Sequence, residues 1–208
     1  MSGDPLGGLD QKTRREFRRL GEEAISTVEF NDLLHQETER LGKFVEKLDH
    51  ELRPMLVVFG EKGKDDKRMA GVVQIASFPE GDAKRRVLFA AGAQAAKEGI
   101  QIIAALLCTE AWAKTLSPAE SWRAKSQGLM QPSKAPDRRE VVFITGRTID
   151  GRTASAYAPF TRIGGRTKAE PWRFMEWRGE NADAEAQENL VGYFFAGYML
   201  ELCRRNAR

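Results

Sequence analysis

Glu110 is the residue whose position most demands chemistry or a partner. It follows the apolar run Ile100 to Cys108 on one expected strand and shares an alternating face with Ile102, Leu106 and Trp112. A carboxylate there is costly unless it is paired or coordinated. Pro136–Asp137–Arg138–Arg139–Glu140 leads directly into the next apolar run. Glu110, Asp137 and Glu140 are therefore candidate acidic ligands for a divalent cation, as a metal-dependent hydrolase would need. The alternative is an arginine of the 136–140 segment paired with Glu110 at a strand end. The three acids have no recognised metal-binding spacing and no Glu-x-Lys follows Asp137, so the ion pair is the expectation.

The two histidines, His35 and His50, fall on one predicted helix. At 1.5 Å rise per residue they stand about 22 Å apart, too far to share a metal. No cysteine or carboxylate cluster lies near them at zinc-ligand spacing, and solvated helix-face histidines are expected. Gly146–Arg147–Thr148–Ile149–Asp150–Gly151–Arg152–Thr153 has the glycine and threonine spacing of a phosphate-binding loop, with Arg in place of Lys. Such a loop must open a helix whose amides cradle phosphate. Ala154–Ser155–Ala156–Tyr157–Ala158–Pro159 is a poor helix, so a hairpin is expected instead. No motif calls for a cofactor or a metal, and the chain reads more as a binding protein than as an enzyme.

Two basic clusters are candidate nucleic-acid contacts. Arg14, Arg15, Arg18 and Arg19 share one helix face, which suits a phosphate backbone. Residues 11–19 hold five basic residues against Glu16 alone, whereas residues 20–53 hold nine acids against four bases and would repel an anion. Trp172 and Arg173, with Phe174, Trp177 and Arg178, form the second cluster. Aromatic and basic residues interleaved on a strand stack bases in some proteins. More commonly they pack a core on one side and carry snorkelling arginines on the other.

The elements that must position these residues follow from periodicity. Residues 1–9, with Gly3, Pro5, Gly7 and Gly8, read as a flexible tail ahead of a single domain at 10–208. A helix is expected from Asp10. Ser26 and Glu29 read as a capping box that begins a second one. Its apolar stripe includes Phe30, Leu33, Leu34, Leu41, Phe44, Val45, Leu48 and Leu52, and Pro54 should end it after Arg53. This 10–53 segment either covers the domain's own sheet or protrudes to meet another chain. Strands are expected at 55–59 and 70–78 as a hairpin. A helix should run from an Asp82 N-cap to Glu98, with Gly99 as its C-terminal stop, and a central strand from Ile100 to Trp112. Residues 114–137 read as a surface excursion. Strands at 140–148 and 152–160 should join through Asp150–Gly151 in a type I′ turn, before a last strand at 172–177. The clearest helix is the C-terminal one, with paired apolar positions from Leu190 to Cys203. Asp183 and Glu185 stand near its start, and Arg204 and Arg205 near its end.

The expected fold is α+β: a mostly antiparallel five- to six-stranded sheet packed by an N-terminal helical segment, one middle helix and a long C-terminal helix. With 41% apolar and 30% charged residues in 208, the composition is that of a soluble domain. The longest apolar run, Ile100 to Cys108 with Gln101 inside it, is far short of the roughly 18 residues a membrane span needs. Two cysteines in apolar patterns, Cys108 and Cys203, read as reduced core thiols of a cytoplasmic protein. The functional expectation is a non-catalytic binding or assembly protein that uses its N-terminal amphipathic helices for self- or partner association. Nucleic-acid binding is the second reading and metal-dependent hydrolysis the third.

Overall fold

The computed structural model describes residues 24–48, 50–62, 68–75, 82–113, 138–163, 166–175 and 190–206. The elements run α1 (Thr27–Val45), β1 (Met55–Lys62), β2 (Arg68–Gln74), α2 (Ala83–Lys97), β3 (Ala104–Ala113), β4 (Arg139–Thr148), β5 (Thr153–Ile163), β6 (Arg166–Ala169), β7 (Arg173–Met175) and α3 (Leu190–Asn206). Every strand pairing is antiparallel. The strands are ordered β2-β1-β3-β4-β5-β6, and β7 also pairs with β5. The α+β class and antiparallel sheet agree with expectation. The seventh strand is β6, where β5 continues beyond Phe160 and pairs with residues past the 164–165 glycines.

Period-two alternation assigns the two faces of the sheet. Val57 and Phe59 of β1, Leu106 and Cys108 of β3, and Val142 and Ile144 of β4 join Phe30, Leu34, Leu41 and Val45 of α1 in one core. Leu56 of β1 and Ala105 and Leu107 of β3 point the other way. There they meet Leu88 and Ala96 of α2 and Val191, Phe194, Phe195, Tyr198 and Met199 of α3. The chain thus forms helix, sheet and helix-pair layers, with β3 apolar on both faces as a central strand should be. The α1 stripe lies on the protein's own sheet.

Helix α1 begins as expected, with the Ser26 side chain accepting from the Glu29 N–H at 3.1 Å. It ends at Val45, well before Pro54. Long-range bonds replace the helical ones: the Leu52 N–H donates to Glu110, and the Leu48 carbonyl accepts from the Thr167 hydroxyl at 3.0 Å. His50 consequently lies beyond the helix. Phe44, read as part of the stripe, is exposed because the buried positions are Phe30, Leu34, Thr38, Leu41 and Val45. Asp82 precedes α2 in a helical conformation without capping it; its carboxylate pairs instead with Arg85 at 3.0 Å.

Helices α2 and α3 cross closely. A Cβ on Gly92 would lie 1.9 Å from the Phe194 carbonyl oxygen, and one on Gly197 would lie 1.9 Å from that of Phe89. The Tyr198 hydroxyl ties this pair to the sheet, donating to the Ile100 carbonyl at 2.8 Å and accepting from the Ile102 N–H at 3.1 Å. Burial raises its pKa. Cys203, expected in the core, is exposed near the end of α3, whereas Cys108 is buried. Asp183 and Glu185 lie outside the described residues.

The β4–β5 connection is a hairpin, but not a two-residue type I′ turn. Gly151 N–H bonds the Thr148 carbonyl at 3.0 Å, and Thr148 N–H bonds the Arg152 carbonyl at 2.9 Å. The loop is therefore three residues long, with Gly151 at φ +98° in the left-handed region glycine tolerates.

Candidate functional site

Glu110 is held by an arginine, though not one from the 136–140 segment. Arg162 of β5 reaches across β4 to place Nη2 2.5 Å from Glu110 Oε1 and Nη1 3.4 Å from Glu140 Oε2. The same Glu110 oxygen accepts the Leu52 N–H at 2.6 Å. The β3–β4 register sets Glu110 opposite Val142, so Glu140 lies two residues along on the same face. Glu110 and Glu140 thus come together around a cation of the protein's own, while Asp137 lies outside the described residues. Among the described residues no three His, Cys, Asp or Glu side chains are grouped to hold a metal.

Trp172 and Arg173 go to opposite faces. Trp172 packs into the α1-side core, its Nε1 3.3 Å from where a Cβ on Gly42 would stand. Arg173 lies over the Tyr157 ring at 5.9 Å, with Nη2 3.7 Å from Glu170. Arg14, Arg15, Arg18 and Arg19 lie outside the described residues. Burial pushes the Cys108 thiol up to about 12, so it stays protonated near neutrality and is no nucleophile.

Two arginines anchor the start of α1. Arg68 of β2 forks onto Glu29 at 2.7 and 2.8 Å and donates to the Ala24 carbonyl at 2.5 Å. That fork, with Lys62 at 3.6 Å, holds the Glu29 carboxyl below the usual range, against the opposing effect of burial. Arg152 bonds the Asp150 carboxylate at 2.7 Å, the Thr27 hydroxyl at 3.0 Å and the Ile25 carbonyl at 2.6 Å. No local pattern announced either anchor, because the groups they hold at the start of α1 lie 39 to 127 residues away in the chain.

Two surface features remain. Among the described residues strand β2 ends the sheet, and its Val72 and Val73 are 54% and 44% exposed. At the opposite end, a cleft of about 430 Å³ opens between α1 and the β5–β7 edge. The His35 ring stacks on Phe174 beside it, with centroids 3.9 Å apart. Those two residues were legible singly, but nothing in the sequence pairs them.

Comparison with protein-family models, curated proteins and solved structures gave no match. No helix among the described residues is long and apolar enough to cross a membrane.

Proposed function

We propose that this chain is a non-catalytic association protein that pairs with a second copy of itself along β2. The observation that carries this reading is the uncharged, exposed run Ala70–Gly71–Val72–Val73–Gln74 at the end of the sheet. Sheet edges are usually guarded by charges, prolines or bulges, because their unpaired N–H and C=O groups recruit other strands. Arg68, the charge within β2 itself, is turned inward onto Glu29. An antiparallel pairing about a two-fold axis normal to the sheet sets Val72 against its own copy. It also sets Val73 of each copy opposite Gly71 of the other, where no side chain competes for space. Because the apolar stripe of α1 covers the protein's own sheet, the association surface moves from that helix to β2.

The same proposal places the protein in a reducing, cytoplasmic setting, supported by two free thiols. The hydrolase reading loses ground because Glu110 and Glu140 are both engaged by Arg162. The nucleic-acid reading rests on arginines outside the described residues.

Light scattering of the full chain tests the proposal. The mass should rise from 23.3 kDa toward twice that value with concentration. Val72→Lys should remain monomeric with unchanged thermal stability. A wild-type chain that stays monomeric at all concentrations, or a lysine variant that still associates, overturns the reading.

A further inference from the structure

The cleft between α1 and the β5–β7 edge has the size, wall and charge balance of a small-molecule site. Its volume of about 430 Å³ lies within the roughly 300–1,000 Å³ usual for ligand pockets. Phe30 and Leu34 of α1 and Ala154 of β5 supply an apolar floor. Phe174 and Met175 form an outer lip, and both are large apolar side chains left 40% and 47% exposed. Phe174 is also stacked on His35, which makes one wall aromatic.

The polar groups narrow the class of ligand. Among the described lining residues the one formally charged is Arg152, and its guanidinium is already bound to the Asp150 carboxylate, whose side chain is 2% exposed. A charged ligand would shed water without meeting an uncompensated opposite charge, so a neutral one is favoured. Asn31 offers an amide on the α1 side. The hairpin offers main-chain groups on the other. Thr148 and Arg152 are its closing hydrogen-bonded pair. Antiparallel alternation therefore turns the Thr153 N–H and C=O away from β4. Among the described residues, β7 covers β5 at 155–157 and β6 covers it at 160–163, so Thr153 lies beyond both ladders. An N–H and a C=O presented side by side on a strand edge match a carboxamide.

We propose that this cleft binds a neutral aromatic amide, its ring against the Phe174–His35 stack and its amide at Asn31 and the Thr153 main chain. The site lies at the far end of the sheet from β2 and is independent of self-association.

The test is NMR titration of the full chain with benzamide, benzoate and benzylamine, which share a ring and differ in charge. The chain has two histidines, and His50 lies outside the cleft, so it serves as an internal control. Benzamide should move the His35 ring signals saturably while those of His50 stay fixed. Benzoate and benzylamine should bind at least about tenfold more weakly. Phe174→Ala should weaken benzamide several-fold. Asn31→Asp, on the exposed face of α1, should shift preference toward benzylamine. The proposal is overturned if benzamide gives no saturable shift, if the three probes bind alike, or if His50 responds as His35 does. It also fails if neither substitution changes binding.

Discussion

Arg162 Nη2 stands 2.5 Å from Glu110 Oε1 across the width of β4, and that oxygen also accepts the Leu52 N–H at 2.6 Å. One carboxylate therefore joins three separate parts of the chain: β3, β5 and the segment between α1 and β1. Glu110→Ala leaves the Leu52 N–H without its acceptor and the partly buried Arg162 guanidinium with only its longer contacts to Glu140 and the His50 carbonyl. It should cost about 1–3 kcal/mol in chemical denaturation. Glu110→Gln retains an acceptor for Leu52 and should cost less. Equal losses for the two variants would show that the Leu52 bond contributes nothing.

The Arg68–Glu29 fork makes a specific claim about acid stability. Glu29 titrates below the ordinary carboxyl value of 4.5 in the folded chain, chiefly through its hydrogen bonds to Arg68. A depressed folded pKa gives stability that is complete above the unfolded value and lost as pH falls toward the folded one. The urea midpoint should therefore decline below about pH 4.5, and Arg68→Met should flatten that decline as well as lower the plateau. An unchanged acid slope in the variant would assign the decline to other carboxyls.

Gly92 and Gly197 mark the crossing of α2 and α3. Either one changed to alanine puts a methyl carbon 1.9 Å from a facing carbonyl oxygen. The helices must then separate, at a cost of about 1–3 kcal/mol or more despite alanine's better helix propensity. Thermal unfolding of the single and double variants checks this. The double variant should fall short of additivity, because one separation relieves both clashes.

The thiols should react unequally. Cys203 is exposed, while Cys108 is buried with its pKa pushed up to about 12. A maleimide or disulfide reagent should label one thiol in the native chain and both after denaturation. Native Cys203→Ser should take up none.

Tyr198 joins α3 to the start of β3 through a hydroxyl that both donates and accepts. Tyr198→Phe should cost about 1–3 kcal/mol, since the Ile100 carbonyl and Ile102 N–H each lose a partner. The raised pKa of the phenol implies stability held below pH 10 and lost as pH rises through the folded value. A wild-type and a Tyr198→Phe pH profile that run parallel above pH 10 would contradict that origin.

Much of the fold was legible in the order of residues. The stripes of α1 and α3, the short apolar run of β1, the two-sided apolarity of β3 and the Ser26 cap are all local patterns, readable within a few turns or residue pairs. Strand β6 escaped because four residues carry too little periodicity to register, and its existence depends on β5 running on past Phe160. The candidate sites were less legible. Glu110 was visible as a charge in need of a partner, but the arginines near it in sequence are not those near it in space.

The sequence alone determined the kinds and order of the longer described elements and most of the residues that required burial, since side-chain period and turn chemistry are properties of short segments. Tertiary structure alone decided where α1 stops, that Cys203 faces outward, which arginine neutralises Glu110, and that His35 meets Phe174 beside a cleft. The physical reason is the same each time. A local pattern states that a group must be covered or paired, but its partner is whichever distant residue the packed sheet and helices bring within reach.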